Sequence, residues 1–495
     1  MPVPYRPELH VTAEIGVLNA PAGVLRDGDA WHVFYQFQPQ LDAPPRWGHV
    51  VSDDGPFDWS ECDDALAPEG EEIAVRAGAV VATQQGADLY FTSVTDKGTS
   101  VEVAHIESVE DACEVSDDPS LLDASVARAG TVVDDRDGFY NFRSPCVVPG
   151  WQNADDRDAG HAGWLMLAVT GATEDPQPVI LHSDDGRDWH VTGALTFSGD
   201  HGLESTTHLV APRFLRLRDE VDGEIYDVLL ITIENDGQDI SGYLVGTLEG
   251  ANFEVVTGFT RIDHGYDFTR PRTANITQRT LESGPLFDEA VIFGLLNRAG
   301  RADDPSQHLS IRESDWANVL SLPRVLSLQG GRIFQPPRSG VLDAIHTSHR
   351  ARSWIGLCEI PHGGEVHVDL RDTEGNIAFS VTHRGTEVIV DRTMNPLHSD
   401  EETASAPVVD SDSQSLSIFV DGSTVEVFVD GGEAALASRA YIVGGEATFE
   451  VTTSGGAKIE RAYEHSPHTA DSNLLADLQE LADEDGLFSD GDGEG

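Results

Sequence analysis

The sequence predicts an all-β protein, with a propeller-like array of antiparallel sheets over residues 1–338 and a β-sandwich over 339–464. Three observations carry that expectation. Short apolar runs recur between turn residues through the first part of the chain, and a corner signature repeats among them. Beyond "GRIFQPP" (331–337) the pattern then changes to regular alternation. At 495 residues the chain exceeds one ordinary core, so two domains are the starting expectation.

The apolar runs are "WHVFYQF" (31–37), "DLYFTSV" (88–94), "WLMLAVT" (164–170), "DVLLITI" (227–233) and "AVIFGLL" (290–296). Each has strand length, is rich in β-branched or aromatic residues, and is bounded by Gly, Asp, Asn or Pro. The corner is Ser52-Asp53-Asp54-Gly55 with Trp59 following, and again Ser183-Asp184-Asp185-Gly186 with Trp189. Five strand groups fit a radial array. One large sandwich is the alternative that pattern alone leaves open.

Further on, "EVHVDL" (365–370), "EVIVD" (387–391) and "ATFEV" (447–451) alternate apolar with polar, and "IFVDGSTVEVFV" reads as two strands closed by a Gly-Ser turn. Residues 465–495 place Leu474, Leu475, Leu478 and Leu481 at helical spacing before an acidic end. One short amphipathic helix and a frayed tail are expected there.

The net charge of −55 comes from 86 acidic against 31 basic side chains, and the basic ones are almost all arginine, with lysine at 97 and 458. Such self-repulsion opposes a compact state unless screened, and at molar salt the Debye length falls to about 3 Å. The expectation is an acidic, halophilic, cytoplasmic protein. Its charge excludes nucleic acid and anionic membrane as partners, because both would be repelled. The N-terminus has neither a basic nor an apolar leader region, and no apolar run is long enough to span a bilayer. Cys62, Cys113, Cys146 and Cys358 form no CxxC pair, so reduced thiols are expected rather than a disulfide frame or a zinc site. No metal or organic cofactor is implied: phosphate-binding glycine loops, Gly-x-Ser-x-Gly elbows and His-Glu-x-x-His motifs are missing.

Eight segments, in order, carry a resemblance over about residues 5–463: "LNAPAG", "HVFYQFQP", "RWGHVVSDD", "FRSP", "YLVGTLEGANF", "HGYDFTRPRT", "WANVLSLPRVLSLQGGRIFQPP" and "FVDGSTVEVFVDGGEAALASR". The chain resembles glycoside hydrolase family 32, the invertase, levanase and inulinase group, and specifically a haloarchaeal member with its catalytic carboxylates replaced. The resemblance implies a five-bladed β-propeller followed by a C-terminal β-sandwich, with a site at one end of the central funnel. It also implies β-fructofuranoside cleavage by two carboxylates about 5–5.5 Å apart.

The expected carboxylates are absent. The nucleophile motif reads Asn19-Ala20-Pro21-Ala22-Gly23, which puts Ala20 at the attacking position. The Arg-Asp-Pro motif reads Arg143-Ser144-Pro145, so Ser144 replaces the stabilising carboxylate. The acid/base motif is best matched by Val210-Ala211-Pro212, with Val210 in place of the acid. Methyl, hydroxyl and isopropyl groups perform neither attack nor proton transfer as carboxylates do. Glu204 and Asp267 are the fallback catalytic candidates, and Glu14 lies near Ala20.

Asn19, Gln36, Trp47 and His49 match polar and aromatic positions of the family's sugar pocket, with core packing as the plainer reading of Trp47 and Gln36. Arg76 and Arg143 are expected to bring guanidinium groups toward the funnel, which suits a carboxylate or phosphate; Arg270 and Arg272 are candidates to extend that set. The sequence therefore predicts a carbohydrate pocket for a fructoside or anionic sugar, with catalysis impaired and a binding or regulatory role. The alternatives are a β-fructofuranosidase using displaced carboxylates and a structural assembly partner. A homo-oligomer or an active relative is the expected protein partner.

Overall fold

The structure, a computed structural model, describes residues 5–467 except 84–85, 111, 114, 117–120, 150–162, 205–206, 236–237, 278–286, 298–303, 399–401 and 410–413. The leucine-bearing helix expected after residue 465 lies outside the described residues. Strand-forming runs dominate, and each of the five apolar runs becomes the second strand of a four-stranded antiparallel unit. Unit one is β1 (Gly16–Asp27), β2 (Ala30–Gln38), β3 (Arg46–Ser52) and β4 (Ser60–Glu61). Unit two is β5 (Glu72–Ala82), β6 (Ala87–Thr95), β7 (Gly98–Ile106) and β8 (Val126–Val133).

Unit three is β9 (Arg143–Pro149), β10 (Trp164–Thr170), β11 (Gln177–Ser183) and β12 (His190–Ala194). Unit four adds an edge strand, β13 (Thr196–Ser198), to β14 (His208–Arg218), β15 (Ile225–Asn235), β16 (Gln238–Glu249) and β17 (Asn252–Arg261). Unit five is β18 (Phe268–Ile276), β19 (Ala290–Leu296), then short β20 (Trp316–Ala317) and β21 (Val319–Leu320), β22 (Arg324–Gln329) and β23 (Arg332–Phe334). The repeated Ser-Asp-Asp-Gly corner lies between third and fourth strands in units one and three, with Trp189 buried against it.

The first strands β1, β5, β9, β14 and β18 touch one another in a closed ring, and β1 pairs in parallel with β18. This is a β-propeller. Every first strand breaks its pairing at one level, at Asn19-Ala20-Pro21, Arg76-Ala77-Gly78, Arg143-Ser144-Pro145, Val210-Ala211-Pro212 and Thr269-Arg270-Pro271. Proline cannot donate to a ladder, so four of the five breaks are written into the sequence as bulges. In the fifth, a Cβ on Gly78 would lie 1.9 Å from the Tyr90 carbonyl oxygen. The residue before proline is left-handed at Ser144 (φ 55°), Ala211 (48°) and Arg270 (50°), backbone strain of the kind that collects at functional sites.

Side chains from the neighbouring strands hold these bulges. Gln36 Oε1 accepts the Ala77 N–H at 2.8 Å, Thr92 Oγ1 that of Ser144 at 2.9 Å, and Ser241 Oγ that of Arg270 at 2.9 Å. Arg272 donates Nε to the Pro21 carbonyl at 2.9 Å, tying β18 to the break in β1.

Among the described residues, two short α-helices, α1 (Leu309–Ser314) and α2 (Val341–Thr347), lie between strands. A β-sandwich follows. One sheet contains β24 (Arg352–Glu359), β29 (Gln414–Asp421), β30 (Thr424–Val429), β31 (Ala434–Arg439) and β33 (Lys458–His465). The other contains β25 (Glu365–Arg371), β26 (Ile377–His383), β27 (Glu387–Asp391), β28 (Ala404–Pro407) and β32 (Thr448–Ser454). The strict alternation of β25 buries Val366, Val368 and Leu370 in a core shared with Trp354, Phe379 and Ile418. Tyr266 of the propeller enters the same core and donates its hydroxyl to the Val390 carbonyl at 3.1 Å. No helix among the described residues is long and apolar enough to cross a membrane.

Candidate functional site

The five bulges lie at one level of the central ring, so whatever they carry converges on the funnel. Ala20 pairs across β2 with Gln36, and Gln36 pairs across β3 with Trp47, which puts the three side chains on one face in a row. Ala20 and Gln36 are half-buried. Trp47 has no exposed surface; its Nε1 donates to the Arg76 carbonyl at 3.1 Å and its ring packs against Phe34 and Phe91. Asn19 donates Nδ2 to Gln38 Oε1 at 3.3 Å, while its own Oδ1 is buried without a hydrogen-bond partner.

Two residues expected at the sugar pocket are packed in the core. Trp47 and His49 present no surface for a ligand to touch. His49 stacks on Phe34 at 4.1 Å between ring centroids, and its Nε2 lies 3.1 Å from His32 Nδ1. Burial, with His32 alongside, holds His49 well below the ordinary histidine range, so it is a neutral core residue.

The fallback carboxylates lie in two different surroundings. Asp267 is 1 % exposed and faces the sandwich: Arg392 Nη1 pairs with it at 2.5 Å and the Arg439 N–H donates to it at 2.7 Å. Both its oxygens are taken up at the domain junction, away from any reacting sugar. Glu204 is exposed on the segment ahead of β14 and makes no side-chain hydrogen bond to a funnel residue among those described. Glu14 is exposed beside Glu61 and is not brought to Ala20.

What the funnel does assemble is a set of arginines and two carboxylates. Arg143 bonds the carbonyls of Asn141 (3.1 Å), Gly171 (2.7 Å) and Ala172 (3.2 Å), all neutral acceptors. Burial and then the nearby Arg76 lower its pKa, and Glu234 opposes that effect. Arg76 is exposed, and its guanidinium makes no hydrogen bond or ion pair among the described residues. Glu234 and Asp239 are cross-strand neighbours on β15 and β16, bridged by Arg270 at 2.6 Å (to Glu234) and 2.9 Å (to Asp239). Gly171 is also a wall of a 320 Å³ cavity lined by Phe139, Tyr140, Gln177, Thr207 and Leu209.

Beneath this rim lies Arg213, 2 % exposed. Its Nη1 donates to the carbonyls of Pro212 (2.5 Å) and Ser144 (3.2 Å), and its Nη2 to the Ser144 hydroxyl at 3.3 Å. Its Nε has no partner, and it forms no ion pair among the described residues. Burial lowers its pKa to about 10, and burial also raises that of neighbouring Cys146, which stays a neutral thiol. Arg213, Glu234 and Asp239 escape a sequence reading because nothing in the local pattern says which strand residue turns inward at a bulge. The signal that existed was the recurrence of a Pro or Gly directly after each inward pair.

Among the described residues no cluster of three or more His, Cys, Asp or Glu side chains is placed to hold a metal ion. All four cysteines are free, though the Cys62 and Cys113 thiols are hydrogen-bonded to one another.

The family model for the glycosyl hydrolases family 32 N-terminal domain matches residues 10–337, and that for the family 32 C terminal matches 361–465. The chain belongs to glycoside hydrolase family 32. Among family-32 relatives it is 27 % identical to sucrose-6-phosphate hydrolase of Bacillus subtilis over 494 residues, covering 92 % of this chain and 93 % of the relative. Raffinose invertase of Escherichia coli is 24 % identical over 478 residues, covering 88 % and 90 %. Two solved family-32 folds superpose along the chain. Sucrose-6-phosphate hydrolase from Lactobacillus gasseri has a TM-score of 0.72 at 18 % identity, covering 94 % of each chain. The β-fructofuranosidase of Bombyx mori has a TM-score of 0.70 at 21 % identity, again covering 94 % of each.

Proposed function

We infer that this chain binds a sugar of the fructoside class in its funnel and does not hydrolyse it by the family's two-carboxylate route. One observation carries the reading. Ala20, Ser144 and Val210, the residues at which the motif resemblance leads one to expect nucleophile, stabiliser and acid/base, all sit at the first-strand bulges, and none has a carboxyl group. Glycoside cleavage with retention needs one carboxylate to attack and another to protonate the leaving oxygen. The polar groups that remain (Asn19, Gln36, Arg76 and Arg143) suit binding. The names of the relatives add a phosphorylated disaccharide to the ligands worth testing. Cytoplasmic carbohydrate sensing beside an active relative is the role that fits such a pocket.

The test is hydrolysis of sucrose, sucrose 6-phosphate and fructans in molar potassium chloride by the parent and by a variant carrying Ala20→Asp, Ser144→Asp and Val210→Glu. The expected result is a silent parent and a restored variant that cleaves.

A second reading, hydrolysis by displaced carboxylates, is favoured by one feature. Glu234 and Asp239 flank the same guanidinium near Arg143. Parent activity that disappears in Glu234→Gln or Asp239→Asn would establish it and overturn the first.

A further inference from the structure

We propose that the funnel selects an anionic sugar, whose carboxylate or phosphate oxygen accepts the Ser144 hydroxyl proton and takes the place of the missing side-chain carboxylate beside Arg213. The proposal deepens the binding role above and rests on it.

The argument begins with a charge that has no counter-charge. Taking a guanidinium out of water costs several kcal/mol, and proteins ordinarily offset that cost with a carboxylate. This chain does so elsewhere: buried Arg324 meets Asp263 at 2.9 Å and Glu426 at 2.7 Å, and buried Arg216 meets Asp227 at 2.8 Å. Arg213 is as buried as these, yet its partners are carbonyls, one hydroxyl and the Cys146 thiol, with no carboxylate among the described residues. In a chain with 86 acidic side chains, none of those described reaches it.

The second step concerns Ser144. Its Oγ accepts from Arg213, which leaves the hydroxyl proton free to donate on the side away from the guanidinium. A hydroxyl polarised by a cation behind it is a strong donor to an anion and a weak partner for a neutral sugar hydroxyl. Ser144 is half-buried, so it still faces accessible space.

The rim repeats the sign. Arg76 and Arg143 lie close enough to depress Arg143, and neither has a carboxylate within bonding distance among the described residues. Arg270 differs, being held by Glu234 and Asp239. The guanidinium groups without a bonded carboxylate, Arg76, Arg143 and Arg213, thus lie on units two, three and four, where Glu234 acts on Arg143 from its pair with Arg270. The 320 Å³ cavity sharing Gly171 with Arg143 offers room for the sugar body against half-exposed Tyr140.

Ser144→Asp supplies the carboxylate from the protein itself, and a left-handed residue tolerates Asp readily. Binding of gluconate, fructose 6-phosphate, fructose and sucrose would be measured by calorimetry on the full chain at fixed ionic strength. The parent should bind gluconate or fructose 6-phosphate more tightly than fructose, and whichever anion binds identifies the group. Ser144→Asp should lose that preference. Arg76→Ala, which breaks no side-chain hydrogen bond or ion pair among the described residues, should weaken the anion about tenfold, and more than it weakens fructose. Anion binding that is equal in parent and Ser144→Asp, or unchanged in Arg76→Ala, overturns the proposal. Binding of neutral fructosides without any anion preference overturns it while leaving the binding role intact; binding of no sugar removes both.

Discussion

The Arg213 guanidinium meets the Ser144 hydroxyl at 3.3 Å, a buried cation facing a hydroxyl at the position where the Arg-Ser-Pro segment leads one to expect a carboxylate. The pair explains why Ser144→Asp should stabilise the fold as well as alter binding. The new carboxylate gains a charge-assisted hydrogen bond, about 1.5–3 kcal/mol. Its folded pKa would fall below the unfolded value, so the gain is present above about pH 4 and lost on acidification. Urea unfolding at pH 7 and pH 3 checks both the gain and its loss.

Asp267 carries the opposite lesson. It binds Arg392 and the Arg439 N–H, linking β18 to the sandwich. Asp267→Ala removes a buried charge-assisted pair with Arg392, which lies over the Tyr266 ring, and the acceptor of the Arg439 N–H, and should cost about 1.5–3 kcal/mol. Sugar affinity of the folded fraction should stay unchanged. A variant of normal stability with lost sugar binding would return Asp267 to the funnel.

Glu61 and His10 each contribute a stability that falls as the solution becomes more alkaline, while buried His49, His264 and His383, whose pKa values burial lowers, contribute one that rises toward pH 6.5. Burial raises Glu61 to about 7, so the folded state keeps a proton that the unfolded state has released, and stability falls between about pH 4.5 and 7. His10 is buried too, which alone would lower it, but Asp421 at 2.8 Å and Glu426 at 3.1 Å hold it protonated up to about 9. Its contribution, on the order of 3 kcal/mol, is complete below pH 6.5 and lost as pH rises through 9. Each decline is read as the difference in urea midpoint between parent and variant across pH 5–9.5. Glu61→Gln should remove the first alone, and His10→Asn the second.

Strand runs were legible because periodicity and turn residues report local structure directly. All five apolar runs became second strands, and the Gly422-Ser423 turn closed β29 onto β30 as expected. The site was legible only where motif and bulge coincide, at Ala20, Arg143, Ser144 and Val210. Trp47 and His49 occupy the right strand but turn into the packing between units, a choice set by neighbours distant in sequence such as Phe91 and His32. Asp267 lies two residues before the β18 bulge yet faces Arg392, 125 positions away. Arg213 was invisible because its meaning depends on an absent partner, and absence has no local pattern.

That dependence gives the sharpest contrast between two buried arginines. Arg324 has no exposed surface, stacks 4.3 Å from the Phe268 ring centroid, and neutralises Asp263 and Glu426. Arg324→Met would strand two buried carboxylates and should cost about 3–5 kcal/mol. Arg213→Met removes a charge that no described carboxylate compensates, and methionine follows the same unbranched path through the core. Its cost should be within about 1 kcal/mol of zero, or the variant should be more stable, because burying an unpaired ion is itself unfavourable. Chemical unfolding of both variants without sugar gives the comparison. Equal large losses would mean that Arg213 already has a negative partner, and the anion-binding role would fall with that result. A large loss at Arg324 alone leaves Arg213 as a charge the fold keeps at its own expense, which is what a site waiting for an anionic ligand requires.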